Sequence, residues 1–284
     1  MNALGLHTFA IAPVWDVALI EADMERIRHH GVGLFEIPLL RPEEIDVAET
    51  LAFSQRHGVE VVCSLGLPGW ADVVDRPDEV LAFLTPAFEI TRAVGSASLS
   101  GVTYGTIGRT TGSAPSEREL DGMCRFLDRA AKQAAAHGLK LGIEPCNRYE
   151  THLMNRGSDA VAIIERVGAD NIFIHLDTYH MHLEEESFEA GFEAAAPYLG
   201  YVHVSEANRG VPGRGQINWD AAFAAIARIG YDGPLTLESM NHVDRDIARG
   251  LAIWRPVAGN PDDVIDAGLP FLRQTAERAG LQLG

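Results

Sequence analysis

The sequence predicts an α/β protein, a single parallel (β/α)8 TIM barrel forming one domain over residues 1–284. Three observations predict it. Short β-prone runs alternate with longer amphipathic runs along the whole chain, the order of a parallel α/β protein. Eight such units follow one another with no Pro/Ser/Gly-rich linker, internal repeat or low-complexity segment between them. The length of 284 residues suits one barrel, which typically uses about 250.

The predicted strands are, in order, Leu4–Phe9, Gly33–Ile37, Glu60–Leu65, Ser98–Tyr104, Lys140–Glu144, Ile172–Asp177, Tyr201–Val204 and Leu235–Glu238. Helices are expected over Trp15–His30, Pro42–His57, Glu117–His137, Ala221–Ile229 and Val264–Ala279. Pro42 falls in a first turn, where its missing N–H costs nothing. Gly31, Gly58, Gly138 and Gly230 each follow a helix and precede a strand, the place of a left-handed C-terminal cap. The rival architecture is a doubly wound open sheet, which usually has fewer strands and often a Gly-rich first turn. Here Leu4–Phe9 runs into Ala10-Ile11-Ala12-Pro13 with no GxGxxG, so the closed barrel is preferred.

Composition narrows the function. With 46% hydrophobic residues the chain can bury a large core. No apolar run approaches the roughly 20 residues a bilayer span needs. Residues Met1–Leu6 lack the basic-then-apolar order of a signal peptide, so a cytoplasmic enzyme with no membrane partner is expected. The net charge of −17, from 23 basic and 40 acidic residues, repels phosphate backbones and argues against nucleic acid. Cys63, Cys124 and Cys146 are odd in number and widely spaced, which gives neither a disulfide framework nor a CxxC metal pair. Buried free thiols are expected.

In a TIM barrel, functional residues gather at the C-terminal ends of the strands, because the βα loops form the active face. Four successive predicted strands carry a metal-capable residue there: LGIE ends at Glu144, FIHLD at Asp177, YVHV contains His203, and LTLE ends at Glu238. Singly, each reads as a solvated loop acid or a satisfied core histidine. Together they change the argument, since burying three carboxylates side by side without a cation is very costly. Oxygen-rich ligands with one imidazole suit a divalent Mn, Co or Mg ion better than a structural zinc.

The same segments supply candidate substrate contacts. His180 follows Asp177 by three residues, Glu150 follows Glu144 by six, and Arg209 follows His203 by six. At the barrel mouth these would hydrogen-bond sugar hydroxyls and a carbonyl oxygen, while a surface ion pair is the alternative for Glu150 and Arg209. His175 shares a face with Asp177 but lies deeper, which points to a packed neutral imidazole, and His152 and His182 are expected in loops. The Gly213-Arg214-Gly215 turn reads as a tight loop rather than a phosphate nest, because a phosphate site here would want more basic residues.

Four segments carry a family resemblance: EPCNRYETHLMN (Glu144–Asn155), HLDTYHMHLEE (His175–Glu185), HVSEANRGVPGRG (His203–Gly215) and GYDGPLTLES (Gly230–Ser239). They resemble the signature segments of the ketose 3-epimerases, the D-tagatose, D-psicose (D-allulose) and L-ribulose 3-epimerases of the xylose isomerase-like barrel superfamily. The match is dense over Glu144–Ser239 and looser but collinear over the N-terminal half, and AIWR (Ala252–Arg255) resembles the stretch these enzymes carry after the eighth strand. The resemblance implies one divalent metal, usually Mn²⁺ or Co²⁺, held by Glu144, Asp177, His203 and Glu238. It implies that Glu144 and Glu238 double as the acid–base pair and that Glu150, His180 and Arg209 contact the ketose substrate. It also implies a homodimer or homotetramer. His7 takes a position where these enzymes often present an aromatic to the sugar, a departure that bears on the C4–C6 end of the substrate.

The chemistry explains these residue types. A ketose carbonyl at C2 acidifies the C3 proton only weakly, so the carbonyl must be polarised and the developing enediolate stabilised. One carboxylate then removes the C3 proton and another returns one on the opposite face. Three relatives of this barrel remain as rivals. Endonuclease IV-type enzymes need further histidines on the third and fourth strands, but no His lies between His57 and His137. Xylose-type isomerases need a second metal, for which Glu206 and Asp220 are the nearby carboxylates. Hydroxypyruvate isomerase and inosose-processing enzymes share the single metal and the enolisation. From another class, a non-catalytic sugar-binding barrel is opposed by the intact acid–base pair.

Overall fold

A computed structural model describes residues 1–284, and in it eight parallel strands close on themselves in sequence order. They are β1 (Leu4–His7), β2 (Leu34–Pro38), β3 (Glu60–Ser64), β4 (Ser98–Ser100), β5 (Lys140–Ile143), β6 (Ile172–Asp177), β7 (Leu199–Ser205) and β8 (Leu235–Glu238). The ring is completed by β1 against β8, with Leu4 beside Leu235 and Leu6 beside Leu237. Every predicted strand is present. Several stop short of their predicted C-terminal end, because the backbone leaves the ladder to build the mouth. Leu4–Phe9, for example, ends at His7, whose Nδ1 accepts the Phe9 N–H and starts a 3-10 turn at Thr8–Ala10.

The helices are α1 (Val17–Glu21), α2 (Met24–His29), α3 (Val47–His57), α4 (Pro77–Ala93), α5 (Glu117–Ala136), α6 (Gly157–Val167), α7 (Thr178–Glu184), α8 (Phe188–Ala195), α9 (Trp219–Arg228), α10 (Arg245–Gly250) and α11 (Leu269–Arg278). Three of the predicted helices are corrected. Trp15–His30 is split into α1 and α2, since the Asp23 N–H bonds back three residues to Ile20 and tightens the turn. The buried stripe Val17, Ile20, Met24, Ile27 runs through the break unchanged, which is why periodicity alone read one helix. Pro42 opens only a 3-10 turn, and α3 begins after Asp46, whose carboxylate accepts the Glu49 N–H. The predicted Val264–Ala279 helix likewise starts with a π-helical turn at Val264–Gly268 before α11. His182 lies within α7, not in a loop, while His152 is in a loop as expected. The four capping glycines have φ of +72°, +65°, +71° and +67° at Gly31, Gly58, Gly138 and Gly230.

Strand side chains alternate across the barrel wall. Leu4, Leu6, Phe35, Ile37, Leu141, Ile143, Val202, Val204, Leu235 and Leu237 are buried in the layer against the helices. The other face of the strands carries Glu36, His175, Tyr201, His203 and Thr236, all buried. Hydrogen bonds between β2, β7 and β8 show that this face points inward, since Tyr201 reaches both Glu36 and Thr236. The barrel interior is therefore polar beneath its mouth. Cys63, Cys124 and Cys146 are free and buried, as expected. No helix is long and apolar enough to cross a membrane.

Candidate active site

The strand register sets the height of each candidate. Asp177 pairs with His203 across β6 and β7, and Ser205, two residues above His203, pairs with Glu238. Glu144 follows directly on β5. All four side chains are buried, at 8%, 0%, 2% and 7% exposure for Glu144, Asp177, His203 and Glu238. Glu144, His203 and Glu238 border a cavity of about 650 Å³ at the C-terminal face, together with His7, Glu150, His180 and Arg209. The structure thus brings every candidate side chain to one place, with Asp177 tied in through Arg209.

Arg209 is the organising cation. Its Nη1 lies 2.8 Å from Asp177 Oδ2 and also contacts Glu238 Oε2, and its guanidinium stacks 3.9 Å above the Tyr179 ring. That reach comes from a strained backbone, since Arg209 has φ +61°, in the left-handed region rare for a residue with a Cβ. Glu206 holds the strain in place. Its buried carboxylate accepts N–H groups from Ala207, Gly213, Ile217 and the Trp219 indole, which ties the loop into a ring. Gly215 is required there, because a Cβ would meet Glu206 Oε1 at 2.3 Å. Arg214 pairs with Asp263, so the Gly-Arg-Gly turn is the tight loop expected of it.

Two of the histidines have their tautomers set by neighbours. The Asn147 backbone N–H donates to His180 Nδ1 at 3.1 Å, so a neutral His180 carries its proton on Nε2. That nitrogen faces Glu144 Oε1 at 3.7 Å and Asp177 Oδ2 at 3.9 Å, placed to donate to an oxygen between them. Asn147 also donates to Glu150 at 2.8 Å, fixing a second candidate contact through one side chain. His203 is held the other way. Its Nε2 lies 2.6 Å from Glu36 Oε2, while Nδ1 is buried without a hydrogen-bond partner, 3.5 Å from Glu238 Oε2.

The carboxyls divide into two states. Burial pushes Glu144 well above the ordinary carboxylate range, and Glu238 and Asp177 add to the rise. Burial likewise raises Asp177, to about 6. Glu238 goes the other way: burial opposes its charge, but Arg209 and His203 outweigh it and hold the carboxyl well below the usual range. His175 is lowered by burial and makes no hydrogen bond at either nitrogen, the packed neutral imidazole expected.

These residues fit a divalent cation. Asp177, His203 and Glu238 each offer one ligand atom within a common 4.8 Å, and so do Glu144, His175 and His203. Both sets include His203. A third set, Glu144, Cys146 and His180, is a poorer fit: His180 presents a proton rather than a lone pair, and burial keeps the Cys146 thiol protonated. The carboxylates that a second metal would need are engaged elsewhere. Glu206 is saturated by the loop N–H groups, and Asp220 is exposed and paired with Arg278. On the third and fourth strands the mouth is bordered by Ser64 and Gly101 rather than by histidines.

Residues 24–275 match the xylose isomerase-like TIM barrel family. The L-ribulose 3-epimerase of Methylomonas sp. (strain DH-1) is 34% identical over 276 residues, covering 95% of this chain and 96% of the relative. The chain belongs to the ketose 3-epimerase family. It shares this isomerase family with a ketose 3-epimerase of Arthrobacter globiformis, 32% identical over 95% of each chain. Among solved structures, a Methylomonas sp. D-allulose 3-epimerase in complex with D-allulose superposes with a TM-score of 0.89, at 32% identity over 96% of this chain and 97% of that one. Within the family frame, three side chains here escaped the sequence reading. Glu36 sits in an apolar run, Leu34-Phe35-Glu36-Ile37-Pro38, where an acid on the inward face was the available signal. Asn147 and Tyr179 left no such trace, because their parts depend on loop conformation.

Proposed function

We propose that this protein, one barrel domain over residues 1–284, epimerises free ketoses at C3, in the manner of the D-tagatose, D-psicose and L-ribulose 3-epimerases. The observation that carries the reading is that two carboxyls, Glu144 after β5 and Glu238 at the end of β8, border the same cavity. Two carboxyls on one cavity supply an acid–base pair, one removing a proton while the other returns one.

Glu144, Asp177, His203 and Glu238 would hold the divalent metal, Mn²⁺ or Co²⁺ by family and Mg²⁺ by ligand type. When bound, it supplies Lewis-acid polarisation of the C2 carbonyl and the neighbouring hydroxyl oxygen. Glu238, kept ionised by Arg209 and His203, removes the C3 proton from one face. Glu144 returns a proton to the other, and reversal of the two roles runs the reaction back. His180 donates its Nε2–H to a sugar oxygen, and Arg209 offers its remaining N–H groups to the same end of the substrate. Glu150, which burial raises, is half-satisfied by Asn147 and presents its second oxygen to a hydroxyl. His7 borders the same cavity.

The test is incubation of the EDTA-stripped and Mn²⁺- or Co²⁺-reloaded protein with a panel of ketoses in D₂O. The expected result is the C3 epimer with deuterium at C3, from the reloaded protein alone. Deuterium at C1 with an aldose product would instead place the chain among the single-metal isomerases of the hydroxypyruvate type.

A further inference from the structure

Glu36 lies in β2, on the inward face of the barrel, with no exposure to solvent. A carboxylate in such a place is strongly disfavoured unless its partners repay its lost hydration. Its partners are specific. Oε2 receives the Tyr201 hydroxyl at 2.7 Å and faces His203 Nε2 at 2.6 Å. Oε1 makes no hydrogen bond and has His7 Nε2 at 3.6 Å. The Tyr201 hydroxyl is also 2.7 Å from Thr236 Oγ1. An oxygen already taking a phenol proton has only acceptor capacity left for His203, so the proton between Glu36 and His203 resides on Nε2.

We propose that Glu36 is a positioning residue for the metal centre: by taking the Nε2 proton of His203 it fixes the tautomer that turns the Nδ1 lone pair toward Asp177 and Glu238. This rests on the reading of those residues as metal ligands. Nδ1 is the buried nitrogen with no partner, it stands 3.5 Å from Glu238 Oε2, and His203 forms a close set with Asp177 and Glu238. Orientation of a ligating imidazole through its other nitrogen is a general device of metal sites. The neighbouring histidines show that the device is local. His180 has its Nδ1 occupied by a backbone N–H and presents a proton to the cavity. His175, whose ring centroid is 4.1 Å from that of His203, has neither nitrogen fixed. Of these three, only His203, hydrogen-bonded to Glu36, is set as a ligand.

The rival explanation is that Glu36 merely braces β2 against β7 across the barrel. The two are separated by direct observation of the ring nitrogens. The ¹⁵N-histidine-labelled wild-type protein, stripped of metal and loaded with ¹¹³Cd²⁺, is expected to show cadmium coupling to Nδ1 of His203 and a proton on its Nε2. Coupling through Nε2, or no coupling to His203, overturns the proposal without any variant having to fold. In parallel, Mn²⁺ affinity is measured by calorimetry for Glu36→Gln and Tyr201→Phe, each checked for wild-type circular dichroism. Glu36→Gln is expected to weaken Mn²⁺ binding about 10–100-fold, the range typical of such supporting partners. Tyr201→Phe, which disturbs the same core but leaves the His203–Glu36 bond, is expected to stay within about threefold, far below that range. Equal losses in the two variants, or wild-type affinity in Glu36→Gln, overturn it. Because none of these readouts involves a sugar, a protein that couples cadmium through Nδ1 yet turns over no ketose refutes the proposed reaction alone.

Discussion

Arg209 Nη1 and Asp177 Oδ2, both buried, stand 2.8 Å apart, joining a loop after β7 to the end of β6. The pair makes Arg209 the principal counterweight to Asp177 and Glu238. Arg209→Met removes that counterweight and leaves the buried carboxyls facing one another. Loss of one partner from a buried ion pair costs about 3–5 kcal/mol. The EDTA-treated variant is expected to lose about that much in urea denaturation, with part of it regained on adding Mn²⁺.

Glu206 and Gly215 extend the same dependence outward. Gly215→Ala drives a Cβ against the Glu206 carboxylate, and overpacking of this kind costs about 1–3 kcal/mol. Since the loop carries Arg209, kcat/KM is expected to fall at least about tenfold, in step with a lowered Tm. A stable Gly215→Ala protein with unchanged kinetics would show that Arg209 does not need this loop.

Glu144→Gln and Glu238→Gln keep shape and remove proton transfer. Each is expected to lower kcat by about 10²–10⁴, the usual worth of a general acid or base. Circular dichroism should be unchanged, and deuterium exchange at C3 should vanish with turnover. Near-normal epimerisation by either variant would refute the two-carboxylate mechanism.

Asp177 gives a pH signature. Its folded pKa of about 6 lies above its ordinary value of 3.8, so the folded chain binds this proton more tightly than the unfolded one. The stabilisation is complete below about pH 4 and is lost as pH rises through about 6. His203, raised well above 6.5 chiefly by Glu36 and Glu238 against the cost of burial, has the same sign. The buried His7, His175 and His180, lowered by burial, have the opposite sign over the same range. The Asp177 contribution is therefore read by difference: the Tm advantage of the metal-free parent over Asp177→Asn should be smaller at pH 7.5 than at pH 5.5. Added Mn²⁺, which needs Asp177 and His203 deprotonated, should raise Tm more at pH 7.5 than at pH 5.5.

Most of the barrel is legible in residue order because β-prone runs and capping glycines report on local backbone preference. Where local preference is indifferent the reading erred: the tightened turn at Asp23 keeps the Val17–Ile27 stripe intact, so nothing in the pattern marks it. Strand-end position brought Glu144, Asp177, His203 and Glu238 into view, because a parallel barrel delivers all such ends to one rim. Glu36 and Asn147 act through neighbours distant in sequence, and no spacing rule encodes an imidazole tautomer. Arg209 was visible as a residue type, but its left-handed backbone depends on the Glu206 ring of hydrogen bonds, which only the folded loop displays.

The segment α10, Arg245–Gly250, borders the cavity yet buries none of its own residues. Its grip on the rest of the molecule is slight, and parts held by few buried contacts open at small free-energy cost. The proton-handling side chains, by contrast, sit on strands locked into a ring. Ancestry could therefore rewrite this roof, by insertion or point change, to admit a different sugar while the reactive floor stayed fixed. Swapping the segment between family members is where altered substrate preference should first emerge at little cost to folding.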